Sequence, residues 1–546
     1  MNSPRIKAKG PKNCKLAFVG MAPGNEEVRL GEPFVGPAGR QFNHALRTLG
    51  ISRDEVFITN VSEVPLTTVK SLFDLPRDFL NMEISRLKLE LDETTANCIV
   101  PLGDEPLQII CGRSEISKWR GSILESTLCP GRKCIPSFHP AWILRGNWKW
   151  LSVFTHVDIK RAMEESETPQ IVLPRRDAII GPSFNDAVEF LRECEEKKYI
   201  GFDIETRHRE IACVGFGFEP NSAMCIPLIR STNVPYWTDL EEVKIWESMT
   251  RVLQSQVKKI AQNASFEWLY FWTHGVFPSN LYIDTMTLHH CLYPDFGITE
   301  DQFGRKKRFD EPGHGLGFIN SQYTKTPYYK DDGRNWSPKT GDDVLWNYNC
   351  LDVMTTVESS MKMKDEADAA GLWDFYQNFY IKPFPHALRM EWQGTELDPE
   401  ATKVAKDELQ KRSEELQVRI VSSVGQINVN SPKQVADLLY KMKGYKPKKD
   451  RKTGRITADA DALLYFATKY QDQSLMDINE LRSVNSLLSK LMDKDVSEDG
   501  RIRTHYRFGG TDGARWSSTE SILGASTNLQ NVKREGVART IFVPSE

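Results

Sequence analysis

Residues 199–206 read Tyr-Ile-Gly-Phe-Asp-Ile-Glu-Thr, "YIGFDIET". The run is apolar enough for a buried strand, yet it carries Asp203 and Glu205 two positions apart with no basic residue between them. Residues i and i+2 of a strand share a face. The two carboxylates therefore stand side by side, and their repulsion in a partly apolar setting raises at least one pKa unless something neutralises them. A bound divalent cation would do so. A solvated strand end is the other solution, and the stretch alone leaves both open.

The surroundings alternate helix and strand. "DAVEFLRECEEKK" reads as a helix before this strand and "EIACVGFGF" as a strand after it, and the αβ alternation continues to about residue 385. Upstream, "KLAFVG" (15–20), "EVFITNV" (55–61), "CIVPLG" (98–103) and "CIPSFHP" (134–140) read as strands. "AGRQFNHALRTLG" and "FLNMEISRLKLEL" read as helices between them, which makes an α/β layered domain. The polar stretch "EESETPQIVLPRRD" (164–177) reads as a linker. Beyond 385, "VAKDELQKRSEELQVRIVSSV" and "INELRSVNSLLSKLMDK" are long amphipathic helices. The expected organisation is a domain at 1–165, a linker at 166–178, a second domain at 179–385 and a mostly helical region at 386–546.

The whole chain narrows the function classes. Its 546 residues suggest roughly three or four domains. With Lys+Arg 71 against Asp+Glu 74 the net charge is −3, so any nucleic-acid contact must come from local basic surfaces. No apolar run is long enough to span a bilayer and no signal-peptide pattern opens the chain, so a cytoplasmic location without membrane partners is expected. Ten cysteines are scattered without a CxxC, which fits reduced thiols. Cys129, Cys134 and His139 have a loosely metal-like spacing but lack a second ligand pair, and read as structural.

More acids follow the first pair. "AQNASFEWLYFW" (261–272) places Glu267 in an aromatic-rich helix, Asp284 lies in "YIDTMTLHH", and "NYNCLDVMTT" (347–356) puts Tyr348 and Asp352 on one helix face. Each alone is ordinary. In order, Asp-x-Glu on a strand, Asn-x-x-Phe-acid on a helix and Tyr-x-x-x-Asp on a later helix resemble the ribonuclease H-like 3′–5′ proofreading exonuclease of family A DNA polymerases. Phosphodiester hydrolysis needs a hydroxide and charge stabilisation on both entering and leaving oxygens, which two metal ions supply. Hard divalent ions take oxygen ligands, hence carboxylates. The resemblance implies Asp203, Glu205 and Asp352 as main ligands of two Mg²⁺ or Mn²⁺ ions, Glu267 supporting the second ion, and Tyr348 orienting the attacking water. The best-known family members carry Asp at the position of Glu267, so retained activity with an altered metal preference is expected. Asn263 either supports the site or caps the helix start.

"INVNSPKQVADLL" (427–439), "DGRIRTHYRFGGTDGARWSS" (499–518) and "TNLQNVKREGVARTIFVPSE" (527–546) resemble successive landmarks of the same polymerase family, from the thumb toward the palm. Between them "KMKGYKPKKDRKTGR" (441–455) has eight basic residues against one Asp. It is a solvated loop or, as the resemblance implies, a thumb element contacting duplex phosphates through Lys448, Lys449, Arg451 and Lys452. Arg515 matches a family arginine that touches the primer–template, although Ala514 stands where the motif has Gly. No palm aspartate follows within 546 residues. The expectation is a chain that ends before its palm and fingers, supplied by continuation or by a separate polypeptide, and that shows exonuclease activity only. Its partners would be a primer–template and a single-stranded 3′ end.

"GMAPGNEEVRLGEPFVGPAGRQF" (20–42), "ITNVSEV" (58–64), "LGDEPLQIICG" (102–112) and "SFHPAWILR" (137–145) resemble the uracil-DNA glycosylase superfamily, an αβα sandwich, closest to the iron–sulfur type. The resemblance implies that Phe34 stacks on a flipped base, Asn60 hydrogen-bonds it and His139 stabilises the departing base's charge. The iron–sulfur type has a water-activating Glu where this chain has Met21, and a thioether is no general base. Glu26 and Glu27 are the nearby substitutes. Val64 and Arg86 lie near expected cluster-ligand positions, so no iron–sulfur cluster is expected. A base-sensing domain and a purely structural one both remain open. The combined layout resembles replicative polymerases of some large bacteriophages, acting in the host cytoplasm. The alternatives are a stand-alone repair exonuclease and a noncatalytic DNA-binding subunit.

Overall fold

The computed structural model describes all residues except 1–3, 67–68, 146–149, 297–312, 451–453, 455, 490–495, 510, 512, 525, 527, 532–539 and 544–546. These residues form two compact units. One is built from the chain up to Lys382, the other from Pro383 onward, apart from a short piece at 511–514 that groups with the first.

The larger unit opens on a five-stranded sheet. Strands β1 (Leu16–Gly20), β2 (Phe57–Asn60), β3 (Cys98–Pro101), β4 (Leu124–Glu125) and β5 (Lys133–Cys134) lie in the order β2-β1-β3-β5-β4. All neighbours are parallel except β4–β5. A parallel sheet is covered on both faces, so its strands read as continuous apolar runs. Here Leu16 and Phe18 face Phe42, Ala45 and Leu46 of α1 (Pro37–Thr48). Ala17 and Val19 face Leu87 and Leu91 of α2 (Arg77–Asp92) on the other side. The result is three layers. The sequence reading of 134–140 as a strand is corrected: pairing stops at Cys134, and Pro140 already opens a short helix, Pro140–Leu144. Proline suits a first helical turn and lacks the donor a ladder needs.

A second sheet follows. Strands β6 (Asp177–Ile179), β7 (Tyr199–Arg207), β8 (Glu210–Glu219), β9 (Ser222–Pro227), β10 (Lys258–Ala261) and β11 (Leu281–Asp284) lie in the order β11-β10-β7-β8-β9-β6. β7, β8 and β9 form an antiparallel meander, and β10, β11 and β6 add in parallel to their neighbours. Helices α3 (Phe184–Glu195), α4 (Asp239–Gln254), α5 (Ser265–Thr273) and α6 (Leu316–Tyr323) are followed by α7, a 28-residue helix (Asp342–Ala369). One sheet face carries Phe202 and Phe216, packed on Trp268 and Phe271 of α5. The other face receives α7.

In the smaller unit, α8 (Pro399–Val424) and α9 (Ala460–Tyr470) both pack on α10 (Gln473–Leu487), in a core that includes Leu416, Ile420, Leu463, Phe466, Ile478 and Leu481. Asp398 caps α8 by accepting the Ala401 N–H at 3.0 Å. Two small sheets complete it: β12 (Thr395–Leu397) between β13 (Arg501–Ile502) and β16 (Phe542–Val543), and the pair β14 (His505–Arg507) and β15 (Ser517–Thr519).

Candidate functional sites

Register brings the acids together. Gly201, Asp203 and Glu205 point to the α7 side of β7, and their partners on β8 are Gly217, Gly215 and Cys213. Glycine at these positions is a packing requirement. A Cβ on Gly215 would lie 2.5 Å from Asn349 Oδ1 and 2.8 Å from Val353, and one on Gly201 would lie 2.5 Å from Val357. Asn349, Val353 and Val357 are one turn apart along α7, so the helix lies down on a glycine-floored groove. That close approach sets Asp352 against the strand carboxylates. Pairing between β7 and β8 shifts just after Glu205, a bulge beside the site.

Ligand oxygens of Asp203, Glu205 and Asp352 all lie within 4.8 Å of one another. Among the described residues this is the one cluster of His, Cys, Asp or Glu with that geometry. Asn349 Nδ2 donates to Asp203 Oδ2 at 2.8 Å. Asp352 accepts from the Tyr329 hydroxyl at 2.7 Å and from Lys330 Nζ at 2.6 Å. Lys330 also sits 4.4 Å from the centre of the Tyr348 ring. Glu267 is 3% exposed in the first turn of α5, and its Oε2 has no hydrogen-bond partner.

The electrostatics follow from burial. Asp203 is pushed up to about 8, chiefly by burial and then by the charge of Asp352, with Lys330 opposing. Glu205 and Glu267 are driven well above the usual carboxylate range, again by burial first and by the charge of Asp203 next. One ammonium, that of Lys330, opposes the charges of Asp203, Glu205 and Asp352. Two like charges 4 Å apart repel by about 4 kcal/mol at an effective dielectric of 20. Lys330 alone cannot relieve that, whereas divalent cations can, and the all-oxygen donor set suits hard ions. The residues present therefore fit Mg²⁺ or Mn²⁺.

Asp284 is used otherwise. Its carboxylate accepts the backbone N–H groups of Asn263 (3.0 Å), Ala264 (3.2 Å) and Met286 (2.9 Å). Burial still raises it to about 6. Those bonds hold the turn before α5 and start the helix after β11. Asn263 is not the helix cap allowed from sequence: it has φ 61°, and Ala264 occupies the N-cap position. Asn349, Tyr329 and Lys330 were not identified from sequence. Asn349 lies in the quoted motif and is one turn before Val353. Tyr329 and Lys330 lie outside any local pattern.

In the first sheet a cavity of about 790 Å³ opens at the carboxyl ends of β1 and β2. Asn60 ends β2 and is buried, Phe34 has φ 53°, and the Phe34 and His139 rings stack with centres 5.7 Å apart. Gly20 makes room for this group, since a Cβ there would lie 2.4 Å from Asn60 Oδ1 and 2.6 Å from the Phe34 ring. His139 Nδ1 accepts the Ala141 N–H at 3.1 Å, and burial lowers its pKa to about 4. The ring is therefore neutral at pH 7 with its proton on Nε2. Met21 and Glu27 also line the cavity. Glu27 Oε1 accepts from the backbone of Val35 (3.1 Å) and Gly36 (2.8 Å), while Glu26 pairs with Arg29 at 2.8 Å. Arg86 donates to the carbonyls of Asn60 (2.8 Å) and Val61 (2.7 Å) and pairs with Glu90 at 2.7 Å, bracing the strand end that presents Asn60. Cys129 and Cys134 are buried free thiols, and among the described residues neither belongs to such a cluster.

In the smaller unit Lys448 donates to the Asp461 carbonyl at 3.1 Å and lies 4.8 Å from the Tyr465 ring centre. Lys449 is exposed and bridges to Ile456. Arg451 and Lys452 lie outside the described residues. Arg515 is exposed, and Ala514 before it adopts φ 55°, the left-handed region that favours glycine. No helix among the described residues is long and apolar enough to cross a membrane.

Comparison with known proteins adds two families. The model for the uracil DNA glycosylase superfamily matches residues 8–159, and that for DNA polymerase family A matches 399–546. The type-4 uracil-DNA glycosylase of Thermotoga maritima is 31% identical over 159 residues, covering 29% of this chain and 80% of that protein. DNA polymerase I of Rhizobium leguminosarum is 25% identical over 287 residues, 50% of this chain and 26% of that protein. The chain thus spans about a quarter of that relative, and 36% of the DNA polymerase I of Borreliella burgdorferi. The solved POL domain of Pol1 from M. smegmatis, in complex with DNA primer-template and dNTP, superposes with TM-score 0.52 at 19% identity over 68% of this chain and 59% of that one. That likeness is one of fold.

Proposed function

Because the chain belongs to the uracil DNA glycosylase superfamily through residues 8–159 and carries a family A DNA polymerase region over 399–546, we propose that it serves DNA replication as a phage-type polymerase polypeptide with a ribonuclease H-like 3′–5′ proofreading exonuclease between them. The observation that carries the exonuclease is the convergence of Asp203, Glu205 and Asp352 within 4.8 Å, with Glu267 buried and unpartnered close by. In this reading the three carboxylates hold two divalent ions and Glu267 supports the second. Bound there, the ions would supply a metal-activated water and charge stabilisation on the entering and leaving oxygens. Tyr348 is held far above the ordinary tyrosine range by burial, so it acts as a neutral hydroxyl that orients the water and not as a base. Asn349 fixes the rotamer of Asp203. Lys448, Lys449, Arg451, Lys452 and Arg515 would meet DNA phosphates in the polymerase region.

The front cavity is read as a base-recognition pocket. Phe34 stacks on the base, Asn60 hydrogen-bonds it, and the Nε2–H of His139 donates to it. Met21 in the wall offers no base for water, and Glu27 is committed to two backbone amides, so recognition without excision is the better reading.

A labelled primer–template incubated with Mg²⁺, with and without dNTPs, tests the central claim. Shortening that disappears in Asp203→Ala is expected. A folded protein that leaves the 3′ end intact would sink the exonuclease, and primer extension would assign nucleotidyl transfer to this chain as well.

A further inference from the structure

The glycosylase-like domain and the helix that bears Tyr348 and Asp352 both touch the same seven residues, 328–334. On one side, Lys118 Nζ pairs with Asp331 Oδ2 at 3.0 Å. The Trp119 and Tyr328 rings meet edge-on with centres 5.6 Å apart, and the Tyr328 N–H donates to Ser122 Oγ at 3.3 Å. On the other side, Tyr329 and Lys330 both donate to Asp352, at 2.7 and 2.6 Å. Gly333 lies flat on the Tyr348 ring, so close that a Cβ there would come within 2.5 Å of it. Every side chain that this segment presents to the exonuclease site is thus next in sequence to one anchored on the front domain.

We propose that residues 328–334 are a strap through which the front domain positions Tyr348 and Asp352. Lys118 and Trp119 are then positioning residues for a reaction whose centre they do not touch. The helix that bears them, Ile116–Trp119, also supplies Ile116 and Ser117 to the wall of the front cavity. Anything that shifts that wall therefore shifts the strap's anchor. The inference rests on the exonuclease reading for its chemistry, but its geometry can be tested through metal binding alone.

The test compares the full chain with a Lys118→Met, Trp119→Ala double variant by single-stranded oligonucleotide trimming, Mn²⁺ calorimetry and thermal unfolding. A misplaced site costs roughly tenfold in kcat with KM nearly unchanged, and weakens Mn²⁺ binding. The pair Lys118→Arg, Trp119→Phe restores both, a rescue that general loosening of the fold would not give. Wild-type kcat and Mn²⁺ affinity in the double variant overturn the strap. Should that variant not fold, Asp331→Asn breaks the Lys118 pair at a partly exposed position and carries the same expectation and the same refutation. If the wild-type chain trims nothing, or trims equally well as Asp203→Ala, the exonuclease reading falls. The strap is then decided by Mn²⁺ affinity: a shift in the double variant supports it, and none overturns it.

Discussion

Glu267 is poorly suited to the fold without a ligand. It is 3% exposed with one carboxylate oxygen unpartnered, and its neighbours Asp203, Asp284 and Glu205 all disfavour its charge. Burial holds its carboxyl well above the usual range, so folding near neutral pH has to protonate it, a cost that a neutral isostere removes even when function needs the carboxylate. Glu267→Gln is therefore expected to raise the melting temperature in EDTA while reducing the further rise that Mn²⁺ produces, both read from one pair of thermal scans. A melting temperature lowered in EDTA would show that Glu267 is satisfied in a way this geometry does not contain. Asp203 gives the pH dependence. Its unfolded pKa is about 3.9, and burial and Asp352 lift the folded one to about 8. Below the lower value both states hold the proton. Between the two only the folded state does, so stability of the metal-free protein falls as pH rises through this window. At the proposed metal site Mn²⁺ would displace the same proton, so its affinity is expected to climb over the same interval. Stability of Asp203→Asn in EDTA with the same pH slope as wild type would refute that assignment.

At the scale of elements, the contact between β7, β8 and α7 decides the site. Three glycines let a helix lie close enough for Asn349 and Asp352 to reach a strand. Gly215→Ala forces a Cβ into the space held by Asn349 Oδ1 and Val353. Overpacking of this kind costs about 1–3 kcal/mol. The expected result is that loss in urea unfolding together with a larger loss of metal affinity, because the displaced helix carries Asp352. Unchanged stability and affinity would mean that α7 does not set the site. The quoted strand shows why such contacts are only partly legible. Its period of two put Asp203 and Glu205 on one face, and the helical period put Tyr348 and Asp352 on another. Both are local rules of backbone geometry. That Asn349 would bond Asp203 depends on which strand lies beneath it.

At the scale of the whole larger unit, the two sheets are joined by buried charge. Arg120, 1% exposed, reaches Asp158 through Nε at 3.0 Å and Ser321 Oγ of α6 at 2.7 Å. Arg161 donates to the carbonyl of Gly121 at 2.6 Å and to that of Gln322 at 3.0 Å. Its pKa falls to about 10, through burial and then the nearby Arg120 charge, with Asp158 opposing. Asp158→Ala leaves two buried guanidinium groups without that carboxylate, and breaking a buried pair from one side costs about 3–5 kcal/mol. Urea unfolding should show that loss. A cost below about 1 kcal/mol would place the junction in the class of exposed ion pairs.

By itself the sequence determined the alternation of helices and strands, the apolar runs of the parallel sheet, and which acids share a face. These follow from backbone periodicity and burial, which act over a few residues. It also carried the likeness to two families in separate stretches of the chain. Only the tertiary structure decided that Lys330 and Tyr329 meet Asp352, that Arg86 braces Asn60, and that residues 328–334 touch both Lys118 and Asp352. Those pairings join residues distant in the chain. They are fixed by how closely sheets and helices can pack, a property of side-chain volumes across the whole unit that no local pattern contains.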